Sequence, residues 1–151
     1  MSTHEATISW KRTTDEFTYD RYVRDHDWQF GTGSTVRASA ASQYRGDASL
    51  PNPEEALVAA ISSCHMLTFL AIAARRKFVV DRYDDHAVGH LEKNAKGVLA
   101  VTRTTLRPRI VFGGDRPPDA ADIAQLHHEA HAGCFIANSV TTEITVEPPV
   151  E

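Results

Sequence analysis

The segment from Asn52 to Lys77 constrains the fold more than any other part of the chain. It opens Asn52-Pro53-Glu54-Glu55: Asn52 can cap a helix, Pro53 suits the first helical position, and Glu55 can reach back to the cap. Glu54 and Glu55 place negative charge at the positive end of a helix dipole, and Arg75, Arg76 and Lys77 place positive charge at the other. Between these ends Leu57, Val58, Ile61, Met66, Leu67, Phe69, Leu70 and Ile72 fall on every side. A helix apolar all round is expected to be buried all round. The run Ala56 to Ala74 approaches the length of a membrane span, but Ser62, Ser63, His65 and Thr68 interrupt it and no second candidate exists. The expectation is a core helix of a globular protein with no membrane partner.

The flanking segments change period. Ala6, Ile8 and Trp10 alternate with polar residues as a half-buried strand does. Short strands are expected at Thr18–Arg24 and Trp28–Phe30, a turn at Gly31-Thr32-Gly33, and a further strand at Thr35–Ala41. After the helix, Phe78–Leu91 predicts a strand bent or bulged near Gly89, Asn94–Gly97 a hairpin turn, and Val98–Phe112 the returning strand. Pro108, lacking an N–H, marks an edge or bulge in it. Asp119–Ala132 predicts a second helix ended by Gly133, and Val140–Val146 a last strand stopped by Pro148-Pro149. The order gives the α+β class: a largely antiparallel sheet packed on a long central helix and a second helix. With 151 residues and no linker or repeat, one domain spanning 1–151 is expected. A net charge of −4 and a pI near 6.0 exclude the basic face of a nucleic-acid binder. No export pattern opens the chain and it has only two cysteines, so the expected compartment is cytoplasmic and reducing, without a permanent disulfide.

Those two cysteines carry the chemistry. Cys64 lies inside the long helix and Cys134 directly follows the second. Either they are small buried hydrophobes, or they are a redox pair brought together by helices packed on one sheet. A thiol with a pKa of about 8.5 is mostly protonated at neutral pH and needs a stabilising group to act as a nucleophile. The helix dipole gives Cys64 little help, because the thiol lies about 15 Å past the helix start.

The helix PEEALVAAISSC and the later AGCFIANSV leading into a strand resemble the OsmC/Ohr family of organic hydroperoxide reductases, and SSCHM and HHEAH resemble its OsmC-like subgroup. The resemblance extends from the strand at Ala6 to the strand ending at Val146. It implies an intertwined homodimer and a thiol peroxidase that needs no metal, haem or other cofactor. Cys64 would attack an organic hydroperoxide and become a sulfenic acid. Cys134 would resolve it to a disulfide, to be reduced by a dithiol or lipoyl-type partner. It also implies an activating arginine from the N-terminal part, held by the carboxylate of the Pro-Glu motif. Glu54, ten residues before Cys64, stands at that place. Arg24, within Tyr22-Val23-Arg24-Asp25-His26, matches the subgroup's Tyr-x-Arg-x-His segment, and Arg45 is the second choice. Since Glu54 and Cys64 lie about 15 Å apart on one helix, a site using both most simply draws Glu54 and Arg24 from a second copy.

Two other readings stand beside this one. His127, His131 and Cys134 share one helical stripe, and with Cys64 they would form a two-Cys, two-His set of the kind zinc takes in a structural or sensory site. A non-catalytic binding domain of the same fold is the other. His65 follows Cys64 but points about 100° away, so it is not expected to be its base. The chain departs from the family's better-studied branches in reading Phe135-Ile136-Ala137 after Cys134, where they have proline. Trp28, Phe30, Met66 and Phe135 could give a pocket apolar walls suited to an organic peroxide.

Overall fold

The computed structural model describes residues 1–147, and the expected Pro148-Pro149 stop lies outside the described residues. The chain divides into two compact units, residues 1–56 and the chain from Leu57 onward.

The first unit is a three-stranded antiparallel sheet of β1 (Ala6–Ser9), β2 (His26–Phe30) and β3 (Thr35–Ala38), in that order. Ile8 faces Trp28, which faces Val36, so one row of large side chains crosses all three strands. Gly33, at φ 87°, turns the chain between β2 and β3. The strand expected at Thr18–Arg24 does not form. The N–H groups of Arg21 and Tyr22 both donate to the Thr18 carbonyl, and the Arg24 guanidinium takes the carbonyls of Tyr19 and Tyr22. The segment coils round its own arginine, and those carbonyls are lost to strand pairing.

Helix α1 (Pro53–Arg75) starts as its sequence dictates. Glu55 N–H donates to Asn52 Oδ1 at 3.0 Å, and Asn52 N–H donates to the Glu55 carboxylate at 3.1 Å. It ends where Lys77 enters the left-handed region at φ 63° and Phe78 N–H reaches back to the Ala73 carbonyl. Burial on every side is not what the single chain provides. Ile61, His65, Phe69 and Ala73 form one buried line at four-residue spacing, while Leu67 on another side is 63% exposed. Within the second unit, the β4–β7 ribbon and α2 cover this face of α1.

In the second unit the two long strands expected after α1 each break in two. β4 (Val79–Asp85) and β5 (Val88–Lys93) come from the first, β6 (Leu99–Leu106) and β7 (Pro108–Gly113) from the second. β4 pairs antiparallel with β7, β5 antiparallel with β6, and β8 (Glu143–Val146) runs parallel to β6. Asp85 sits at the break: its carboxylate accepts the Arg107 N–H at 2.6 Å and the Ser62 hydroxyl at 2.5 Å. The bulge expected near Gly89 falls at His90/Leu91. Pro108, first in β7, loses no ladder bond that an interior position would need. α2 (Ala120–Gly133) is capped by Asp119 and Asp122 in a reciprocal box. Gly133 does not end it through a left-handed conformation; it is the last helical residue, and a Cβ there would lie 3.3 Å from Thr68 Cγ2 on α1. The core is Phe69, Ala73, Phe78, Leu126 and Ala130, with Val80, Tyr83, Ile110 and Phe112 packed against it. Both helices therefore sit on the β4–β7 ribbon, and the α+β expectation holds.

Candidate functional site

The close packing of α1 against the end of α2 brings Cys64 and Cys134 together. Cys64 is half-buried on α1, while Cys134, at the C-cap of α2, is 1% exposed; both are free thiols. The two thiols lie close enough for each to shift the other's ionisation. Burial alone would push the Cys64 thiol up. The Cys134 side chain, the N–H groups of Ile136 and Phe135 and the Thr68 hydroxyl outweigh it, and the thiol is held below its ordinary value. Cys134 is raised by its own burial and by the bond and charge of Cys64, against the N–H groups of Ala137 and Ile136. The pair therefore ionises at Cys64 first, with Cys134 still carrying its proton. The groups that shift Cys64 belong to the second unit and none of them is a cation, although Arg75 lines the cavity on which Cys64 opens. Cys64 opens on a cavity of about 690 Å³, whose walls include Leu67, Ile72, Phe135 and Ile136.

His65 does not serve Cys64. It is buried, and its Nε2 lies 3.0 Å from Nδ1 of His127, the rings stacked at 10° with centroids 5.4 Å apart. Burial, with the nearby His127 and His131 against the opposing pull of Asp85, pushes His65 down to about 4. Burial likewise lowers His127. Among the described residues no group of three or more His, Cys, Asp or Glu side chains is placed to hold a metal ion. The tetrahedral set of Cys64, His127, His131 and Cys134 is thus not assembled; His127 turns to His65 instead.

Arg24 and Glu54 meet in the first unit, lining a pocket of about 440 Å³ with Trp10, Tyr22, His26 and Tyr44. Arg24 is only 8% exposed. Its guanidinium stacks 3.7 Å from the Tyr22 ring centroid and donates to the Tyr19 and Tyr22 carbonyls, each at 2.5 Å. The expected Arg24–Glu54 ion pair is not among its contacts: the guanidinium turns to two carbonyls, and Glu54 Oε2 is buried without a partner among the described residues. His26 accepts the Trp28 indole N–H at 2.8 Å and turns its other ring nitrogen to the Arg24 carbonyl. Arg45, the second choice, makes an exposed ion pair with Asp20 at 2.7 Å and does not line this pocket.

The model of the family described as OsmC-like protein matches residues 46–148, more than half of the chain. The chain belongs to the OsmC-like family. It is similar to an OsmC-like protein of unknown function from Vibrio cholerae, at 46% identity and a TM-score of 0.94 over 98% of this chain and 99% of that one. It also matches an organic hydroperoxide resistance protein OsmC from Legionella pneumophila (13% identity, TM-score 0.72, 99% and 98% covered). The organic hydroperoxide resistance protein OhrB of Bacillus subtilis matches at 15% identity and a TM-score of 0.68, with 99% and 98% covered. At those two identities the likeness is one of fold. No curated protein matches.

Of the four residues expected to carry catalysis, this OsmC-like chain gathers Cys64 and Cys134 in one unit and Arg24 and Glu54 in the other. Sequence reasoning missed the His65–His127 contact and the main-chain donors of Phe135 and Ile136. The first was signalled by His65 standing in line with Ile61 and Phe69 on α1. The second was signalled by Phe135, which carries an N–H where the family's better-studied branches have proline.

Proposed function

We propose that this OsmC-like protein is a cysteine-based peroxidase that reduces organic hydroperoxides to alcohols. The observation that carries the reading is the Cys64–Cys134 contact, with the first thiol lowered and the second raised. The Cys64 thiolate attacks the terminal peroxide oxygen; the O–O bond breaks, the alkoxide takes a proton, and a sulfenic acid remains on Cys64. The neighbouring Cys134 thiol displaces that hydroxyl as water, forming a disulfide before further oxidation. A dithiol or lipoyl-type reductant returns both thiols, in keeping with a cytoplasmic setting. The solved structures named for organic hydroperoxide resistance share the fold and support this choice.

The protein acts as a homodimer, with Arg24 and Glu54 of one copy supplied to Cys64 of the other. The uncovered side of α1, where Leu67 is 63% exposed in the single chain, supports a second copy. So does Glu54, whose buried, unpartnered oxygen shares a pocket with a guanidinium. That guanidinium would stabilise the leaving alkoxide.

Stopped-flow mixing with an alkyl hydroperoxide tests the reading. Wild type should consume peroxide and lose both thiols. Cys64→Ser should do neither, and Cys134→Ser should stop at a sulfenic acid that dimedone traps. Wild type and Cys64→Ser consuming peroxide at the same rate would refute it.

A further inference from the structure

We infer that Arg75, at the far end of the cavity on which Cys64 opens, is the anchor for an anionic end group. The cavity then takes alkyl chains that carry a carboxylate at one end and the reacting oxygen at the other. The identity of that oxygen rests on the peroxidase reading; the recognition by Arg75 does not depend on turnover.

Helix geometry lays the cavity out. Arg75 is the last residue of α1, eleven positions after Cys64. Eleven positions are about three turns, so Arg75 returns to within about 20° of the direction of Cys64, about 16 Å further along the helix. Leu67 and Ala71, both exposed, fall on the same stripe between them. These four residues line one cavity of about 690 Å³, with Phe135 also on its wall. Thr68, the polar residue of the stretch between the two ends, has its hydroxyl tied to the Cys64 carbonyl at 2.8 Å. Arg75 is the one charged residue among those lining the cavity, and no carboxylate faces it there.

The guanidinium is also uncommitted. Its neighbour Arg76 pairs with Glu129 on α2, whereas Arg75 makes no ion pair among the described residues. Arg76 and Lys77 stand at the negative end of the α1 dipole as well, so that role alone does not account for an unpaired guanidinium in an apolar cavity. In a pocket with long apolar walls, the few polar groups fix the ligand's orientation. Here the charge is at one end and the thiol at the other. Helical side chains lean toward the N-terminus, so the guanidinium reaches back toward Cys64 and the span does not exceed the helical separation. An extended chain covers about 3.6 Å in three bonds, which puts the carboxylate at most about a dozen bonds from the reacting oxygen.

Isothermal titration calorimetry with 12-hydroxydodecanoate, the alcohol that reduction of the matching hydroperoxide leaves, tests this on the full chain. Wild type should bind it at least about fivefold more tightly than its methyl ester, with the margin shrinking as salt is added. Arg75→Gln should bind acid and ester alike, and Arg75→Lys should keep most of the preference. Arg76→Gln makes the same change of charge outside the cavity and should keep all of it. Equal affinity of wild type for acid and ester, binding of neither, or a preference that survives in Arg75→Gln would overturn the inference. So would a preference lost equally in Arg76→Gln, which would mark general attraction to the basic end of α1. A preference that depends on Arg75 in a protein that consumes no hydroperoxide would leave this inference standing and remove the peroxidase reading.

Discussion

The stacked histidines between α1 and α2 make acid stability a sharp test of the packing. His65 is 1% exposed and its ring is held near a pKa of about 4, against an ordinary 6.5. Burial is the largest cause, His127 and His131 push the same way, and Asp85 opposes them. Because the folded-state pKa is depressed, the unfolded chain binds the proton first. His65 therefore contributes fully above pH 6.5, and its contribution is lost progressively as pH falls toward 4, with no further change below. At about 1.4 kcal/mol per unit, the whole loss is about 3 kcal/mol. His127, also lowered by burial, adds to it in the same direction. His65→Phe replaces the ring with a non-titrating one of similar size. Urea unfolding at pH 7.5, 6.5, 5.5 and 4.5 should show the wild-type free energy falling more steeply than the variant's, the difference accumulating to about 2.5 kcal/mol by pH 4.5. Parallel curves for the two proteins would refute the account.

The core and the coil round Arg24 give further outcomes. Phe69→Ala removes a fully buried ring that contacts Tyr83, Phe112 and His127, and should cost about 3–5 kcal/mol by urea midpoint. Gly89→Ala would bring a methyl to 2.4 Å from Val58 Cγ2 and should destabilise by about 1–3 kcal/mol, visible as a lower melting temperature. Arg24→Lys keeps the charge but not the fork that ties the Tyr19 and Tyr22 carbonyls; a loss of about 2 kcal/mol is expected in the same urea assay. An unchanged midpoint in Arg24→Lys would show that the coil stands without its arginine.

Much of the framework was legible because it depends on which residues lie a few positions apart. Asn52 and Glu55 announced the start of α1 and form the reciprocal cap. The valine, tyrosine and threonine runs announced strands, and the two cysteines announced a pair that the fold brings close enough to shift each other's ionisation. What was not legible depends on tertiary contacts. The breaks at residues 86–87 and at Arg107 arise where the Asp85 carboxylate binds Ser62 and the Arg107 N–H, partners 23 and 22 residues away. The lost strand at Thr18–Arg24 has the same character, since a guanidinium that could have faced solvent or substrate instead organises its own backbone. Gly133 was placed at the right position for the wrong reason: it serves close packing on Thr68 and needs no left-handed turn.

The misreading of α1 is the more informative one. Its apolar residues go all the way round, which predicts burial all the way round, yet the chain buries a single line at Ile61, His65, Phe69 and Ala73. That line is set by the β4–β7 ribbon and α2, which can cover only one face of a helix. The uncovered side bears Leu67, and Cys64 shares a cavity with it. An exposed leucine flanked by the exposed Ala59 and Ala71, beside a half-buried thiol, is explicable where a second copy closes over it. The same closure would bring to the thiol a cation of the kind that is not among the groups shifting it, from a pocket where Arg24 and Glu54 already stand together. The hydropathy of α1 and the electrostatics of Cys64 support the proposed homodimer by separate routes. A protein that sediments as a monomer at micromolar concentration, with its thiol chemistry intact, would break both.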